Sequence, residues 1–269
     1  MRQVLIVEAV RTAVGKMGGA LRDVLPDDLA AEVIREALRR TGIPPAEVSE
    51  VILGQTKQTT DAPNIARVAA LKAGIPVEVP SYTVHRQCAS SVQAINSAAL
   101  EIATGLSDIV VAGGVESMST APYYLRFARY GYGAGNGEIL DPNTESQPKS
   151  QPEDVYGRVT MGMTAENLAE MYNISREEQD EYALASQEKA GRAVEAGLFR
   201  DEIVPYVVKG KKGDTVFDTD EGPRKTSLES LAKLPPVFKE NGTVTPANAC
   251  PISDGAAAAL VMTREKADA

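Results

Sequence analysis

The stretch Pro80-Ser81-Tyr82-Thr83-Val84-His85-Arg86-Gln87-Cys88-Ala89-Ser90-Ser91-Val92-Gln93-Ala94-Ile95-Asn96-Ser97-Ala98-Ala99-Leu100 changes character at its centre. Pro80 to Val84 is an apolar, β-branched approach that reads as a strand. From Ala89 onward small and apolar residues run without a charge until Glu101, which reads as a helix buried on nearly every side. Cys88 stands at the junction. The unpaired N–H groups of a helix N-terminus carry partial positive charge and favour thiolate over thiol. The thiolate is the attacking form, so Cys88 is a candidate nucleophile. A buried cysteine packed as a small hydrophobe is the plain alternative, and spacing alone leaves both open.

Working outward, Val4 to Val10 reads as a buried first strand. Leu25-Pro26-Asp27-Asp28-Leu29 opens a helix with acids in its first turn, and Leu29, Val33, Ile34 and Leu38 give it one apolar face. Arg39, Arg40 and Gly42 close it. Val51 to Gly54 is a second strand, Asn64 to Ala73 a helix stopped by Gly74, and Ile109 to Ala112 a strand after the Cys88 helix. Ala256 to Thr263 returns as a fifth. Strands alternating with helices indicate a layered α/β fold, here a five-stranded mixed sheet with helices on both faces.

The pattern breaks near Thr120. Tyr123, Tyr124, Phe127, Tyr130 and Tyr132 fall among glycines, and Gln147-Pro148-Lys149-Ser150-Gln151-Pro152 interrupts any helix. A packed loop and a ligand platform are the two readings of the aromatics. Thr164 to Tyr172 is a helix. Ser175 with Glu178 forms a capping-box pattern for another, running to about Gly197. Ile203 to Val208 and Val216 to Asp218 are strand-like, and Leu228 to Lys233 is a short helix. The expected division is a core of residues 1–119 and 247–269, interrupted by an inserted α/β loop domain at 120–246.

The chain has 269 residues, 43% hydrophobic, with a net charge of −9. That composition fits a globular protein with a substantial core and argues against nonspecific nucleic-acid binding, which needs a basic face. A local basic run, Lys209, Lys211, Lys212, Arg224, Lys225 and Lys233, is either a solvated surface or a phosphate contact. Two distant cysteines make no disulfide framework and point to a reducing, cytoplasmic setting. The N-terminal apolar run closes at Glu8, too short for a signal peptide, and no stretch approaches a membrane span.

Several segments resemble the thiolases. Gln87-Cys88-Ala89-Ser90-Ser91, Ala103-Thr104-Gly105 and Val110-Val111-Ala112-Gly113-Gly114-Val115-Glu116-Ser117-Met118-Ser119 look like the family's acyl-enzyme signature. Met161-Gly162-Met163-Thr164-Ala165-Glu166-Asn167 resembles its loop-domain motif, and Asn248-Ala249-Cys250-Pro251-Ile252-Ser253-Asp254-Gly255-Ala256-Ala257 its Asn-Ala-Ser…Asp-Gly-Ala-Ala run. The resemblance covers essentially the whole chain but only the first half of the family's length. It implies reversible Claisen chemistry on acyl-CoA thioesters, with Cys88 taking the acyl group. Coenzyme A thioesters would be substrates, with no metal and no tightly bound cofactor.

The resemblance also assigns a coenzyme A site. Met161 matches a pantetheine contact, and Arg224 an arginine at the adenine and phosphate end. Ser230, Leu234 and Val237 match the lining of the same groove. Cys250 stands where many thiolases have a CoA-contacting serine, and Ile252 belongs to the same run. Thr160 replaces a histidine frequent in bacterial biosynthetic members. Thiolases draw a histidine and a second cysteine from Gly-His-Pro and Cys-x-Gly-Gly-Gly motifs, and neither motif occurs in these residues. His85, the one histidine, is three residues from Cys88; an extended strand points the two side chains to opposite faces and a turn could bring them together, so a structural role and a catalytic base are its two readings. The chain is therefore expected to work with a C-terminal thiolase half or a second subunit, as a homo- or hetero-oligomer, and to expose an apolar face on the Cys88 helix. A non-catalytic acyl-CoA-binding or scaffold subunit is the competing reading.

Overall fold

Two long strands of alanine, glycine and valine hold the centre of the structure, a computed structural model describing residues 1–269. In chain order the elements are β1 (Val4–Thr12), β2 (Gly15–Lys16), α1 (Pro26–Thr41), β3 (Glu50–Gly54), α2 (Ile65–Lys72), β4 (Ser81–Val84), α3 (Ser90–Thr104) and β5 (Ile109–Ser117). Then come β6 (Tyr124–Leu125), β7 (Ile139–Leu140), α4 (Pro142–Glu145), α5 (Glu153–Tyr156), α6 (Met161–Tyr172) and α7 (Arg176–Glu195). The remainder are β8 (Ile203–Val204), β9 (Tyr206–Val208), β10 (Thr215–Phe217), α8 (Leu228–Ala232), β11 (Ser253–Thr263) and α9 (Arg264–Asp268).

The central pair is β5 and β11, antiparallel from Asp254↔Ser117 to Met262↔Ile109. β3 lies parallel to β5 and to β4, and β1 pairs antiparallel with β11. The mixed α/β sheet is as expected, but it has seven strands rather than five, in the order β4-β3-β5-β11-β1-β8 with β2 on β11. Both additions are two-residue strands. β8 pairs in parallel with the end of β1, Arg11↔Ile203 and Thr12↔Val204, and buries both of its aliphatic side chains.

That pairing changes the division of the chain. One compact unit comprises residues 1–120, 199–222 and 253–269; the other comprises 121–198 and 223–252. Residues 199–222, read from sequence as part of one insertion at 120–246, return to the sheet. β8 supplies the edge strand, and β9 and β10 form a hairpin that buries Phe217 in the same core.

Alternation along the strands separates two layers. Val51, Leu53, Val111, Leu260 and Met262 join Leu29, Ile34 and Ile65 of α1 and α2 on one face. Ile52, Val110, Ala112 and Val261 meet Ala94, Ala98 and Ile102 of α3 on the other. α1 begins with Pro26 in its first turn and ends at Gly42, whose φ of 70° is left-handed.

α3 shows the exposed apolar face that its sequence, uncharged before Glu101, predicts for this chain. Only its stripe of Ala94, Ala98 and Ile102, with Ser90, is buried. Val92 and Leu100 are 59% and 63% exposed on the opposite flank. The chain lays one sheet against the helix, so one flank of this apolar helix faces solvent. No helix is long and apolar enough to cross a membrane.

Candidate active site

Cys88 is presented by a turn that β4 enters and α3 leaves. Ala89 is the residue before the first helical position, so Cys88 directly precedes the helix. Gln87 has φ 50°, the left-handed region that a non-glycine residue seldom occupies. The turn is held by Ser90, which is buried. The backbone N–H of Arg86 donates to Ser90 Oγ across 2.8 Å, and that hydroxyl donates to the Gln87 carbonyl across 2.6 Å. Ala89 N–H reaches the Arg86 carbonyl and Ser90 N–H the Gln87 carbonyl, at 3.1 and 3.0 Å. Four hydrogen bonds therefore bracket the cysteine and offset the cost of the left-handed residue.

Two glycines set how deep the helix sits. A Cβ on Gly54 would lie 2.5 Å from the Ser90 carbonyl carbon, and one on Gly114 would lie 2.0 Å from Ser91 Oγ. Side chains at these two positions would push the first turn of α3, and Cys88 with it, off the sheet.

Cys88 is exposed and lines a cavity of about 400 Å³. The cavity runs over the ends of β1, β3, β5 and β11, and Gln55, Thr56, Glu116 and Met118 share its wall. Glu116 carries the wall of this cavity. Its carboxylate accepts from Thr56 N–H at 2.8 Å, from Lys57 N–H at 3.0 Å and from the Thr56 hydroxyl. A carboxylate inside the apolar run of β5 was a visible signal of such a role; nothing in the sequence marked Thr56 or Gln55. His85 is exposed and does not line the cavity.

The other side of the cavity is fixed by charge. Arg11, at the end of β1, bonds both oxygens of Asp220 at 2.8 and 3.0 Å and Glu202 Oε1 at 2.7 Å, and lies 5.2 Å from the Phe199 ring centroid. Burial works against the ionised form of Asp220, but the Arg11 guanidinium and the Val14 N–H outweigh it and hold the carboxyl below its usual range. Buried Asp254 receives Ser119 N–H at 3.0 Å, and Ala256 N–H donates to Thr12 Oγ1 at 3.1 Å.

Met161, Arg224, Ser230, Leu234, Val237, Cys250 and Ile252 all fall in the second unit, whereas Cys88 falls in the first. Side chains of α6 and α7 hold the loops that carry them. Glu166 accepts from Thr243 N–H at 2.9 Å and Val244 N–H at 2.8 Å. Burial opposes ionisation there too, but these backbone donors hold the Glu166 carboxyl below its usual range. Arg176 donates to the carbonyls of Leu231 and Leu234 at 2.7 and 3.1 Å, and Gln187 accepts from Arg224 N–H at 2.9 Å. Asn248 donates to Asp180 at 3.0 Å. Gly162, the neighbour of Met161, leaves room for Phe238, the neighbour of Val237; a Cβ there would fall 2.3 Å from the ring. Met161, Val237 and Ile252 are exposed apolar side chains, 64%, 51% and 48% accessible.

A cysteine-bearing turn ahead of a helix, seated by glycines over a mixed sheet, can present a thiol to a substrate in the cavity. The family profile described as the thiolase N-terminal domain matches residues 4–265. The chain is 47% identical to the acetyl-CoA acetyltransferase of Syntrophomonas wolfei, with 99% of this chain and 67% of that protein aligned. It is 46% identical to the acetyl-CoA acetyltransferase of Pseudomonas aeruginosa, covering 100% of this chain and 68% of that one. The crystal structure of the Bacillus anthracis acetyl-CoA acetyltransferase superposes with a TM-score of 0.95 at 48% identity, covering 100% of this chain and 67% of that one. The chain belongs to the thiolase family, and it spans about two thirds of the length of these relatives.

Proposed function

We propose that this chain carries the acyl-accepting half of a thiolase reaction, an acyl-CoA C-acyltransferase in which Cys88 is the nucleophile. The Cys88 sulfur attacks the carbonyl of an acyl-CoA thioester. A tetrahedral oxyanion forms and collapses, coenzyme A leaves as the thiol, and the acyl group stays on sulfur. A second acyl-CoA, deprotonated at its α-carbon, then attacks the acyl-enzyme carbonyl and releases the cysteine. Thiolysis is the reverse. By resemblance to the thiolases, the backbone N–H of Cys88 is one donor to the oxyanion.

The observation that supports this reading is an exposed cysteine at the head of α3, opening on a cavity of about 400 Å³. The proton-handling groups are not supplied by these residues. His85 is the one histidine and does not line the cavity, and Cys250 matches a CoA-contacting serine of the thiolases rather than their second catalytic cysteine. A histidine and a second cysteine from a C-terminal thiolase half or a partner subunit complete the site, in a homo- or hetero-oligomer. Acyl-CoA is held from the second unit, with Met161 at the pantetheine, Arg224 at the phosphates, and Ser230, Leu234, Val237, Cys250 and Ile252 along the groove. Two cysteines too far apart for a disulfide framework support a reducing, cytoplasmic setting.

The test is complementation. The isolated chain is expected to show little thiolysis of acetoacetyl-CoA, to be acylated at Cys88, and to gain thiolysis when mixed with the last third of a related thiolase. Binding of coenzyme A with no acylation of Cys88 and no gain from any such partner would instead make it a scaffold. Full activity alone would overturn the incomplete-site argument.

A further inference from the structure

Away from the cysteine, at the opposite end of β3 and α3, two carboxyl groups meet. Glu50 is the first residue of β3, and Glu101 lies in the last turn of α3. Alternation puts Glu50 on the same face of β3 as Ile52, the face that packs against Ala98 and Ile102 of α3. The register Ile52↔Tyr82 sets Tyr82 of β4 beside them. Tyr82 Oη donates to Glu101 Oε1 at 3.3 Å, and Ser107 Oγ donates to Glu101 Oε2 at 3.1 Å. The carboxyl of Glu50 is hydrogen-bonded to the same group. Two ionised carboxylates have no donor between them, so that bond requires a proton on one.

The surroundings keep it there. Burial, and then the bond to Glu101, push the Glu50 carboxyl up to about 7. The charge that acts on Glu50 beside its burial is that of Glu101. The other charges nearby are paired among themselves, Lys266 with Glu47 and Arg2 with Asp108. The one titratable group on β4 is Tyr82, raised by its burial and by the two glutamates, against an opposing bond from Ser97. β5 offers no charge before Glu116 at its far end.

We propose that Glu50 and Glu101 form a proton-operated clasp: protonated Glu50 donates to Glu101 and ties the start of β3 to the last turn of α3, and loss of the proton sets two carboxylates against each other and loosens the end of the helix. The clasp is independent of the acyl-transfer reading. A carboxyl raised above its unfolded value of about 4.3 gives stability that is complete below that pH and lost as the pH climbs to the folded value.

Carbon-13 carboxyl NMR on the full chain tests it, with Glu50→Gln used to assign the Glu50 resonance. The resonance should titrate with a midpoint near 7 and move down toward the ordinary range in Glu101→Gln. Glu50→Gln keeps a donor to Glu101 but cannot ionise. Between pH 5.5 and 8, the urea midpoint of the wild type should therefore fall relative to that of Glu50→Gln. A Glu50 midpoint near the ordinary value of about 4.3, or one unmoved by Glu101→Gln, overturns the clasp. If a variant does not fold, the wild-type midpoint, taken from the single carboxyl resonance titrating well above the rest, decides alone.

Discussion

The hydroxyl of Ser90 donates to the carbonyl of Gln87 across 2.6 Å, closing a ring around Cys88 and Ala89. The same oxygen takes the Arg86 N–H, so one buried hydroxyl fixes both sides of a left-handed residue. Ser90→Ala removes both bonds. It should cost about 1–3 kcal/mol in urea unfolding, as expected for a buried donor left unpaired. It should also slow acylation of Cys88 by roughly 10- to 100-fold, the penalty for a nucleophile displaced by about an ångström. Unchanged acylation in a folded variant would separate the turn from the chemistry.

Cys88 and Cys250 are both exposed, so access does not distinguish them and a difference in alkylation rate reports their surroundings. Iodoacetamide at pH 7 should modify Cys88 faster by about tenfold, because only Cys88 directly precedes a long helix. Cys88→Ser should abolish acyl capture and leave the unfolding midpoint nearly unmoved. Equal rates at the two cysteines would remove the case for an activated nucleophile.

Gly114→Ala places a methyl 2.0 Å from Ser91 Oγ and 2.8 Å from the Gly54 carbonyl oxygen. Backbone on one side leaves little room to yield. The expected loss is about 1–3 kcal/mol from overpacking, with slower alkylation of Cys88 as α3 lifts. Gly191→Ala, where a Cβ meets nothing, should be neutral or slightly stabilising, since alanine favours helix over glycine. Thermal melts of the pair give the comparison.

Much of this was legible because it is local. The Cys88 turn, the ends of α1 (Pro26–Thr41) and the Ser175–Glu178 capping box are decided by residues within a few positions of one another. What stayed hidden depends on distance along the chain. Arg11 and Glu202 are 191 positions apart, and no periodicity in either neighbourhood announces that β8 will extend the sheet. The exposed flank of α3 was legible as well, because a helix without charge before Glu101 asks for more apolar cover than one sheet supplies.

Asp220→Asn removes the charge that anchors Arg11. The Asp220 carboxyl is held low in the folded state, so its contribution is present above the unfolded value of about 3.9 and lost as the pH falls through the folded one. The variant should be about 2 kcal/mol less stable than wild type at pH 7. The gap should narrow toward pH 3, where the wild-type carboxylate takes up its proton. A gap independent of pH would mean that shape rather than charge holds the contact.

Arg224→Ala tests the proposed coenzyme A groove separately from the sulfur. In the complemented enzyme it should raise the KM for acyl-CoA about tenfold, the worth of one charged hydrogen bond. Alkylation of Cys88 by a small reagent should not change. A fall in kcat with KM unmoved would place Arg224 outside the binding groove.

The return of residues 199–222 to the sheet carries a practical consequence. The unit bearing the proposed acyl-CoA residues is not one continuous stretch; it is residues 121–198 and 223–252, with a sheet-bound strap between them. Anyone wishing to graft that unit between relatives to alter acyl preference must transplant two pieces and leave the strap behind. A single swap of 120–246 would also carry off Asp220 and Glu202, the anchors of Arg11 beside the cavity.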